Sequence, residues 1–272
     1  MPPGRIVAGS ILLHRDGTTL DLARLPRNGR ELRRIRGNEI AVIFQDPMSA
    51  LHPMYSIGGQ IAEGLRRHRP ELGRAEQNQI VLQMLASVGL PNPARLAADY
   101  PHHLSGGMRQ RAMIALALAC NPRLLIADEP TTALDVTVQA RILSLIDQLQ
   151  EQLGMAVVLI SHDLAVIAEN ADEVAVMYLG EIVESGSVDA VFSSPLHPYT
   201  LGLFQSIPAL QRQRRAPLNA LRGSVPGPYR MPQGCVFKDR CPFRHAACER
   251  EPPVLEPEPG HAVKCWLFDR AP

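Results

Sequence analysis

The chain has 272 residues, 46% of them hydrophobic, and a formal net charge of +1 at pH 7. This length and apolar content allow one large domain, or one domain with a small appendage, around a sizeable core. The near-neutral charge gives no electrostatic bias toward nucleic acid, and no apolar run reaches the ~18 residues that a membrane-spanning helix needs. Because no secretory signal is visible in the first 20 residues, we expect a cytosolic chain that reaches a membrane through a partner.

Strand and helix patterns alternate along the chain. Short β-branched or apolar runs bounded by turn residues predict strands, and apolar residues three and four apart predict helices. The predicted elements are two strands within 4–20 with a turn at Asp16-Gly17, a basic helix at 30–36, a strand at 39–44, helices over 56–99 and 107–119, a buried strand at 124–127, an amphipathic helix at 137–153, a buried strand at 155–160, and a hairpin at 172–184 closed by Leu179-Gly180.

A glycine turn precedes the predicted helix at 107–119. Ser105 is a good N-cap, because its hydroxyl can accept a hydrogen bond from a free backbone N–H of the first turn. Gly106 and Gly107 have no side chains, so an anion can approach their backbone closely. These N–H groups and the positive end of the helix dipole together predict an anion site. A Ser-Gly-Gly sequence by itself is also common in flexible turns.

Acidic residues follow the predicted strand at 124–127. Ligands of α/β sheets bind at the carboxyl ends of the strands, where Asp128 and Glu129 are expected. Asp128 is therefore a candidate Mg²⁺ ligand, and Glu129 is a candidate base that polarises a water molecule. His162 follows the strand at 155–160 in the same way. Without further context, each of these residues could equally belong to a solvated or structural strand end.

Three successive motifs carry a family resemblance. LSGGMRQR at 104–111 resembles the signature motif of ABC transporter ATP-binding subunits, LLIADEP at 124–130 their Walker B strand, and TTALD at 131–135 their D-loop. FQDPMSALHP at 44–53 and HPYTLGLF at 197–204 are similar to segments of oligopeptide and dipeptide importers. The resemblance implies an α/β fold of the P-loop NTPase type, with an antiparallel β segment and a helical subdomain, and a function in ATP-driven peptide uptake.

The resemblance also implies roles for particular residues. Two such domains of the family close head to tail over two ATP molecules, which are bound with Mg²⁺. Four residues match the domain's own ATP site: Gln45, Asp128, Glu129 and His162. In the family, the residue matching Glu129 is the base, and the residue matching His162 is the switch histidine, which contacts the γ-phosphate. The residues matching contacts to the opposite ATP are Ser105, Gly106, Gly107 and Asp135.

The phosphate-binding loop of the family, G-x-x-x-x-G-K-[ST], does not occur in the sequence. Lys238 is followed by Asp and Lys264 by Cys, and only 44 residues precede Gln45. Either the sequence is a fragment, or it is a natural subunit without the loop. We favour the fragment, because losing a central strand is a severe structural change. We expect very weak ATP binding and no hydrolysis by the isolated chain, and apolar surface exposed beside the missing strand.

The composition changes after about residue 194, where proline becomes frequent. We predict a partial ATPase domain at 1–194, with its helical subdomain at about 50–110, and a C-terminal extension at 195–272 of the type found in oligopeptide and dipeptide importers. The extension shows little apolar periodicity, so we expect it to bury little core of its own.

The extension contains a set of four cysteines: Cys235, Cys241, Cys248 and Cys265. A disulfide framework is not expected in a cytosolic chain, whereas four thiolates can hold zinc or an iron–sulfur cluster and so help the segment to order. The resemblance favours a 4Fe–4S cluster, with zinc as the second choice and four unligated thiols as the alternative. The fifth cysteine, Cys120, lies in an apolar helix and is expected in the core.

The partners that the resemblance implies are a second ATPase subunit, identical or homologous, two membrane permease subunits and, through the complex, an extracytoplasmic solute-binding protein, with no nucleic acid. It places the chain at the cytoplasmic face of the inner membrane as a peripheral subunit. Two alternatives are a soluble ABC ATPase acting on DNA or ribosomes and a non-catalytic regulatory half-subunit. The single cassette and the absence of sustained heptads favour the transporter.

Overall fold

The structure is a computed structural model, and it describes residues 4, 6–15, 17–46, 50–132, 135–206, 221, 223–227 and 229–269. The chain divides into a first unit, Met1–His162, and a second unit, Asp163–Pro272.

The strands are β1 (Leu12–Arg15), β2 (Thr18–Asp21), β3 (Ile40–Ile43), β4 (Leu124–Asp128), β5 (Ala156–Ile160), β6 (Glu173–Tyr178), β7 (Glu181–Ser187), β8 (Val254–Glu258) and β9 (His261–Lys264). The helices are α1 (Arg30–Ile35), α2 (Ile57–His68), α3 (Arg74–Ser87), α4 (Pro93–Ala98), α5 (Gly106–Leu118), α6 (Val136–Leu153), α7 (Leu164–Asn170), α8 (Val188–Ser193) and α9 (Pro198–Gln205).

The predicted elements of the first unit are confirmed in type and order. β1 and β2 form an antiparallel hairpin, although Asp16 of the predicted turn lies outside the described residues. The predicted helical region contains α2, α3 and α4, which share one core. Helices α2 and α4 pack closely at Gly58, where a Cβ would lie 2.8 Å from the Cβ of Ala97. Glycine at this position therefore allows the two helices to touch.

One face of the parallel sheet β3-β4-β5 forms the floor of the main core. Ala41, Leu125 and Val157 stand in register on this face. Ala41 and Leu125 are buried in a core that also contains side chains of α5 and α6. The apolar runs of the sequence therefore form strands because their side chains fit a buried, pleated surface.

The opposite face of the same sheet is open to solvent. Val42, Ile126 and Val158 stand in register there, and the exposed fractions are 37% for Val42, 47% for Val158 and 45% for Ile160. The prediction that β5 is buried is thus wrong for the side chains on this face. The helices α5 and α6 pack against the opposite face of the sheet and leave this one uncovered. This open apolar face contrasts with the two covered faces of most parallel sheets. The apolar surface expected beside a missing strand stays a prediction.

The second unit contains an antiparallel sheet in the order β6-β7-β9-β8. The predicted hairpin of β6 and β7 is confirmed. Its turn residues Leu179 and Gly180 have φ values of 49° and 83°, which suit the type I′ turns that join twisted strands. β9 pairs with β7 through Glu184 and Val263, so residues of the C-terminal extension belong to the same sheet as the hairpin.

The expectation that the extension buries little core is wrong. Phe237 is 1% exposed, and its ring centroid lies 5.3 Å from that of Tyr178 and 5.5 Å from that of Tyr199. Val236 also joins this second core. The core combines residues that are far apart in the sequence, which is why local apolar periodicity gave no sign of it.

Parts of two quoted motifs lie outside the described residues, namely 47–49 and 133–134. The domain boundary predicted after residue 194 stays a prediction. Among the described residues, the helices are all too short or too polar to cross a bilayer.

Candidate functional site

Polar residues that follow β3, β4 and β5 meet on one carboxylate, and we call them the strand-end cluster: Gln45, Glu129, Thr132 and His162. Gln45 Nε2 donates to Glu129 Oε2 at 2.9 Å, and the Thr132 hydroxyl donates to the same oxygen at 2.7 Å. His162 Nδ1 lies 3.0 Å from Glu129 Oε1. Parallel strands bring their carboxyl ends to one edge, so three residues selected from the sequence converge here.

The backbone around Glu129 forms a defined turn. Glu129 has a φ of 46°, a left-handed conformation that is uncommon for a residue with a side chain. Its N–H donates to the Ile160 carbonyl at 3.0 Å, and the Thr132 N–H donates to the Glu129 carbonyl at 3.1 Å. The second bond closes a four-residue turn with Pro130 at its second position, where proline is favoured. The turn carries the Thr132 hydroxyl to the Glu129 side chain.

The donors around Glu129 lower the pKa of its carboxyl group. The hydrogen bond from Thr132 contributes most, followed by that from His162, and Gln45 adds a smaller effect. Hydrogen bonds to the ionised form stabilise it, so Glu129 is an anion at neutral pH. An oriented carboxylate of this kind can align a water molecule and accept its proton.

Asp128 ends β4 beside this cluster, in register with Ile160 of β5. Its carboxylate is half-buried, and no hydrogen bond or ion pair joins it to another residue in the described part of the chain. A carboxylate without a protein partner suits Mg²⁺, which takes oxygen ligands. The residues present therefore fit a nucleotide-bound magnesium ion.

The predicted anion site lies at the start of α5. Ser105 Oγ accepts a hydrogen bond from the Met108 N–H at 3.4 Å, and a Cβ placed on Gly106 would meet no atom within 4 Å. The backbone at Gly106 is therefore open to a ligand. A Cβ on Gly107 would lie 3.6 Å from Val138 of α6, so this turn lies beside the start of a second helix.

Asp135 caps that second helix by accepting a hydrogen bond from the Val138 N–H at 3.0 Å. In the described residues, neither Ser105 nor Asp135 bonds to the strand-end cluster. The link between the two groups is Gln110, which is buried in α5 and donates through Nε2 to the Pro130 carbonyl. The candidate residues thus form two groups, one on helix starts and one on strand ends.

Sequence reasoning missed Thr132 and Gln110. The signal for Thr132 was a hydroxyl residue three positions after an acidic one, across a turn that proline favours. The signal for Gln110 was an amide side chain among apolar helix positions, since a buried polar group needs a partner.

The four cysteines of the extension are free thiols of the second unit, and we call them the cysteine cluster: Cys235, Cys241, Cys248 and Cys265. The Cys235 N–H donates to the Cys248 carbonyl at 3.0 Å. Gly234 permits this approach, because its φ is 77° and a Cβ there would lie 2.5 Å from the carbonyl carbon of Glu249.

The pKa of the Cys265 thiol is raised to about 11, chiefly by burial and to a smaller extent by the negative charges of the other three cysteines. A negative charge on one of these thiols therefore disfavours a charge on the others. Nevertheless, no group of three or more His, Cys, Asp or Glu side chains among the described residues is arranged to hold a metal ion. The structure thus gives no direct support to the predicted iron–sulfur cluster or to zinc.

An apolar cavity of about 910 Å³ lies elsewhere in the first unit. Side chains of α1, β3 and α5 line it, among them Ile35, Val42 and Leu116. The described lining residues include none of the predicted nucleotide contacts. Cys120 also borders the cavity and is buried in the main core, as predicted.

Comparisons with known proteins agree with the geometry. The family described as ABC transporter matches residues 6–132, and the oligopeptide/dipeptide transporter C-terminal region matches residues 183–248. A Brucella ovis protein named for peptide import and ATP binding is 50% identical over 269 residues, covering 96% of this chain and 79% of that protein. The oligopeptide transport ATP-binding protein AppD of Bacillus subtilis is 46% identical over 267 residues, covering 98% and 79%.

Solved structures show the same fold. The dimeric structure of MJ0796, a bacterial ABC transporter cassette, has a TM-score of 0.54 and 31% identity over 62% of this chain and 70% of that one. A post-hydrolysis dimer of the same cassette bound to ADP and Pi has a TM-score of 0.56 and 29% identity, covering 65% and 73%. With motifs, geometry and relatives in agreement, the chain belongs to the ATP-binding subunits of ABC transporters, in the oligopeptide/dipeptide importer family.

Proposed function

We propose that the chain is the subunit that couples ATP hydrolysis to peptide uptake by an ABC importer. The observation that carries this proposal is the convergence of Gln45 and His162 on the carboxylate of Glu129, at the end of a strand that also carries Asp128. The names of the relatives supply the peptide substrate. The phosphate-binding loop is not part of this sequence, so the isolated chain is expected to hydrolyse no ATP.

Each residue of the chain's own site has a separate task. Asp128 would hold the magnesium ion that accompanies ATP, and that ion would neutralise phosphate charge. Glu129 accepts the proton of the attacking water. Gln45 orients both Glu129 and the water, and His162, whose side chain is 76% exposed, turns toward the γ-phosphate when ATP is present.

The second group of residues serves an ATP molecule held by another subunit. Ser105, Gly106 and Gly107 offer open N–H groups at a helix start, and Asp135 lies beside them at the start of α6. The dimeric cassette among the similar structures supports this arrangement. The partners are a second ATPase subunit, identical or homologous, and two permease subunits that place the chain at the cytoplasmic face of the membrane, with a solute-binding protein outside.

The test is purification of the tagged chain from cells that also express the neighbouring transporter subunits. We expect copurification of a second ATPase and two permeases, with hydrolysis stimulated by a peptide-loaded binding protein. Copurification with ribosomes or DNA in place of permeases would contradict the proposal and favour a soluble ABC ATPase. Micromolar ATP binding with steady turnover by the isolated chain would contradict the expected weak binding.

The cysteine cluster is proposed to bind one metal centre, a 4Fe–4S cluster in preference to zinc. The support is the burial of the thiols and the mutual electrostatic effect of their charges, which a cation would relieve. Their described arrangement does not fit a metal ion without rearrangement, so binding must draw the sulfurs together. In this proposal the extension at 195–272 is a structural module with no step in ATP hydrolysis.

Metal and sulfide analysis of anaerobically prepared protein tests this site. About four irons per chain, lost in a Cys241→Ser and Cys248→Ser double variant, is the expected result. One zinc per chain would assign a structural zinc site. Four thiols that all react with an alkylating reagent, with neither metal present, would reject the metal centre. Cys120→Ser is the matched control, since that cysteine lies in the other unit.

A further inference from the structure

The two carboxylate oxygens of Glu129 have different surroundings. Oε2 receives hydrogen bonds from Gln45 and from Thr132, whereas Oε1 receives one from His162. A carboxylate oxygen offers about two lone-pair sites. Within the described part of the chain, Oε2 is therefore saturated, and Oε1 keeps one site for a further donor.

We propose that Thr132 is a positioning residue that, together with Gln45, occupies Oε2 and directs proton transfer to Oε1 of Glu129. This inference rests on the proposed function of Glu129 as the base. In the step, a water O–H bond breaks and its proton moves to Oε1. The electron pair of the water oxygen forms a bond to the γ-phosphorus, while the bond from that phosphorus to the ADP oxygen breaks and its electron pair leaves with ADP.

The local sequence holds Thr132 at this position. The turn from Glu129 to Thr132 is closed by the backbone bond between those two residues, and Pro130 limits its flexibility through a fixed φ. The buried amide of Gln110 donates to the Pro130 carbonyl and connects the turn to α5. Thr132 thus bonds to Glu129 through both its backbone and its hydroxyl, and the rigid turn aligns the two.

The electrostatic effect of Thr132 agrees with this geometry. Its hydrogen bond is the largest of the contributions that lower the pKa of Glu129. A hydroxyl that donates to a carboxylate stabilises the anion. Removing it should raise the pKa of Glu129 and leave Oε2 with one donor, so the side chain can rotate between two orientations.

The test is an NMR titration of the full chain labelled with ¹³C at the glutamate carboxyl groups, with the Glu129 signal assigned by its loss in Glu129→Gln. We expect Thr132→Val, which keeps the shape without the hydroxyl, to raise the Glu129 pKa. Thr132→Ser should restore the original value. Thr131→Val is the matched control in the same turn and should leave the value unchanged.

Hydrolysis by the assembled importer, with the phosphate-binding region restored ahead of this chain, supplies a second measurement. Thr132→Val should lower kcat roughly 10-fold with an unchanged KM, move the acidic limb of the pH–rate profile to higher pH, and be rescued by Thr132→Ser. If Thr132→Val does not fold, Gln45→Leu removes the other donor to Oε2 and should raise the pKa by a smaller amount.

An unchanged Glu129 pKa in Thr132→Val, or an equal rise in Thr131→Val, would overturn the proposal. Full hydrolysis by Glu129→Gln would instead reject the proposed base, and the titration would still report whether Thr132 bonds to Glu129. The two failures are thereby distinguishable.

Discussion

In the strand-end cluster three donors surround Glu129 and lower the pKa of its carboxyl group, whereas in the cysteine cluster burial raises the pKa of the Cys265 thiol to about 11. Both groups become anions when they lose a proton. The first lies among N–H and O–H donors that stabilise its charge. The second lies among other thiols and apolar side chains, which favour the neutral form.

The two regions differ in the protonation state that they favour before a ligand binds. The strand-end cluster holds its carboxylate in the charged and oriented form without any ligand. In the cysteine cluster, burial raises the pKa values of the Cys235, Cys241 and Cys265 thiols and so favours their protonated form. Ligation requires thiols to lose protons to a cation. The second unit nevertheless has a core of its own around Phe237. Variants of the two regions should therefore differ in what they change: chemistry in the first, stability and metal content in the second.

The largest expected effect is on hydrolysis. Glu129→Gln keeps the size of the side chain but removes the proton acceptor. With the phosphate-binding region restored ahead of this chain, we expect the assembled importer to lose about 10²–10⁴-fold in kcat. Phosphate release under saturating ATP is the measurement. Glu151→Gln, on the exposed side of α6, is the control and should have no effect. A loss of only a few-fold in Glu129→Gln would assign the base to another residue.

The second-largest expected effect is on the stability of the segment that carries the cysteine cluster. Gly234→Ala places a Cβ 2.5 Å from the carbonyl carbon of Glu249 at a φ of 77°, so the backbones at Cys235 and Cys248 must separate. We expect a loss of about 3 kcal/mol or more in the free energy of unfolding of the second unit, measured by urea unfolding.

Gly260→Ala is the matched control for that variant. Its φ of 75° is nearly the same, and a Cβ there would meet no atom within 4 Å. Only the left-handed backbone is then strained, at a cost of about 1 kcal/mol. Equal losses in the two variants would mean that steric contact with Glu249 does not hold the cysteine segment in place.

Two histidines, one in each unit, should respond differently to acid pH. His162 is exposed, whereas His197 is buried, and burial lowers the pKa of His197 to about 4. Protonation of His197 favours the unfolded state, so its contribution to stability is present above pH 6.5 and is lost as the pH falls toward 4. Its neighbour Glu184 opposes this effect.

His197→Asn should remove this acid sensitivity. Asparagine keeps an acceptor for the Tyr199 N–H, which His197 Nδ1 accepts at 3.0 Å, and it does not titrate. Chemical unfolding at several pH values is the measurement, with His162→Asn as the control. An unchanged pH dependence between 6.5 and 4 would show that His197 is not the responsible group.

The smallest expected effect lies at alkaline pH. The pKa of Cys265 is raised from 9.0 to about 11 in the folded chain, so its contribution to stability is present below pH 9 and is lost as the pH rises through 11. Metal-free protein should show this transition, and Cys265→Ala should not. Protein loaded with metal should also lack it, because ligated thiolates have already lost their protons. A transition that persists after loading would exclude Cys265 as a ligand.

Features that depend on neighbouring residues could be predicted from the amino-acid sequence. Ser105 is a helix cap, as its side chain and the helical pattern after it indicate, and the hairpin turn at Leu179-Gly180 follows from a glycine between apolar runs. The position of Glu129 directly after an apolar run also predicted its place at a strand end. Such features arise from short-range hydrogen bonds and backbone preferences, which act before any tertiary contact.

Contacts between residues far apart in the sequence became visible only in the folded chain. Gln45 reaches Glu129 across 84 positions, and the buried His261 donates to Glu184 across 77. Which face of β5 is open depends on where α5 and α6 pack, and the core around Phe237 depends on β9 pairing with β7. Local patterns carry no information on these pairings, because they are selected by burial and by the need of buried polar groups for partners, and both act through the assembled chain.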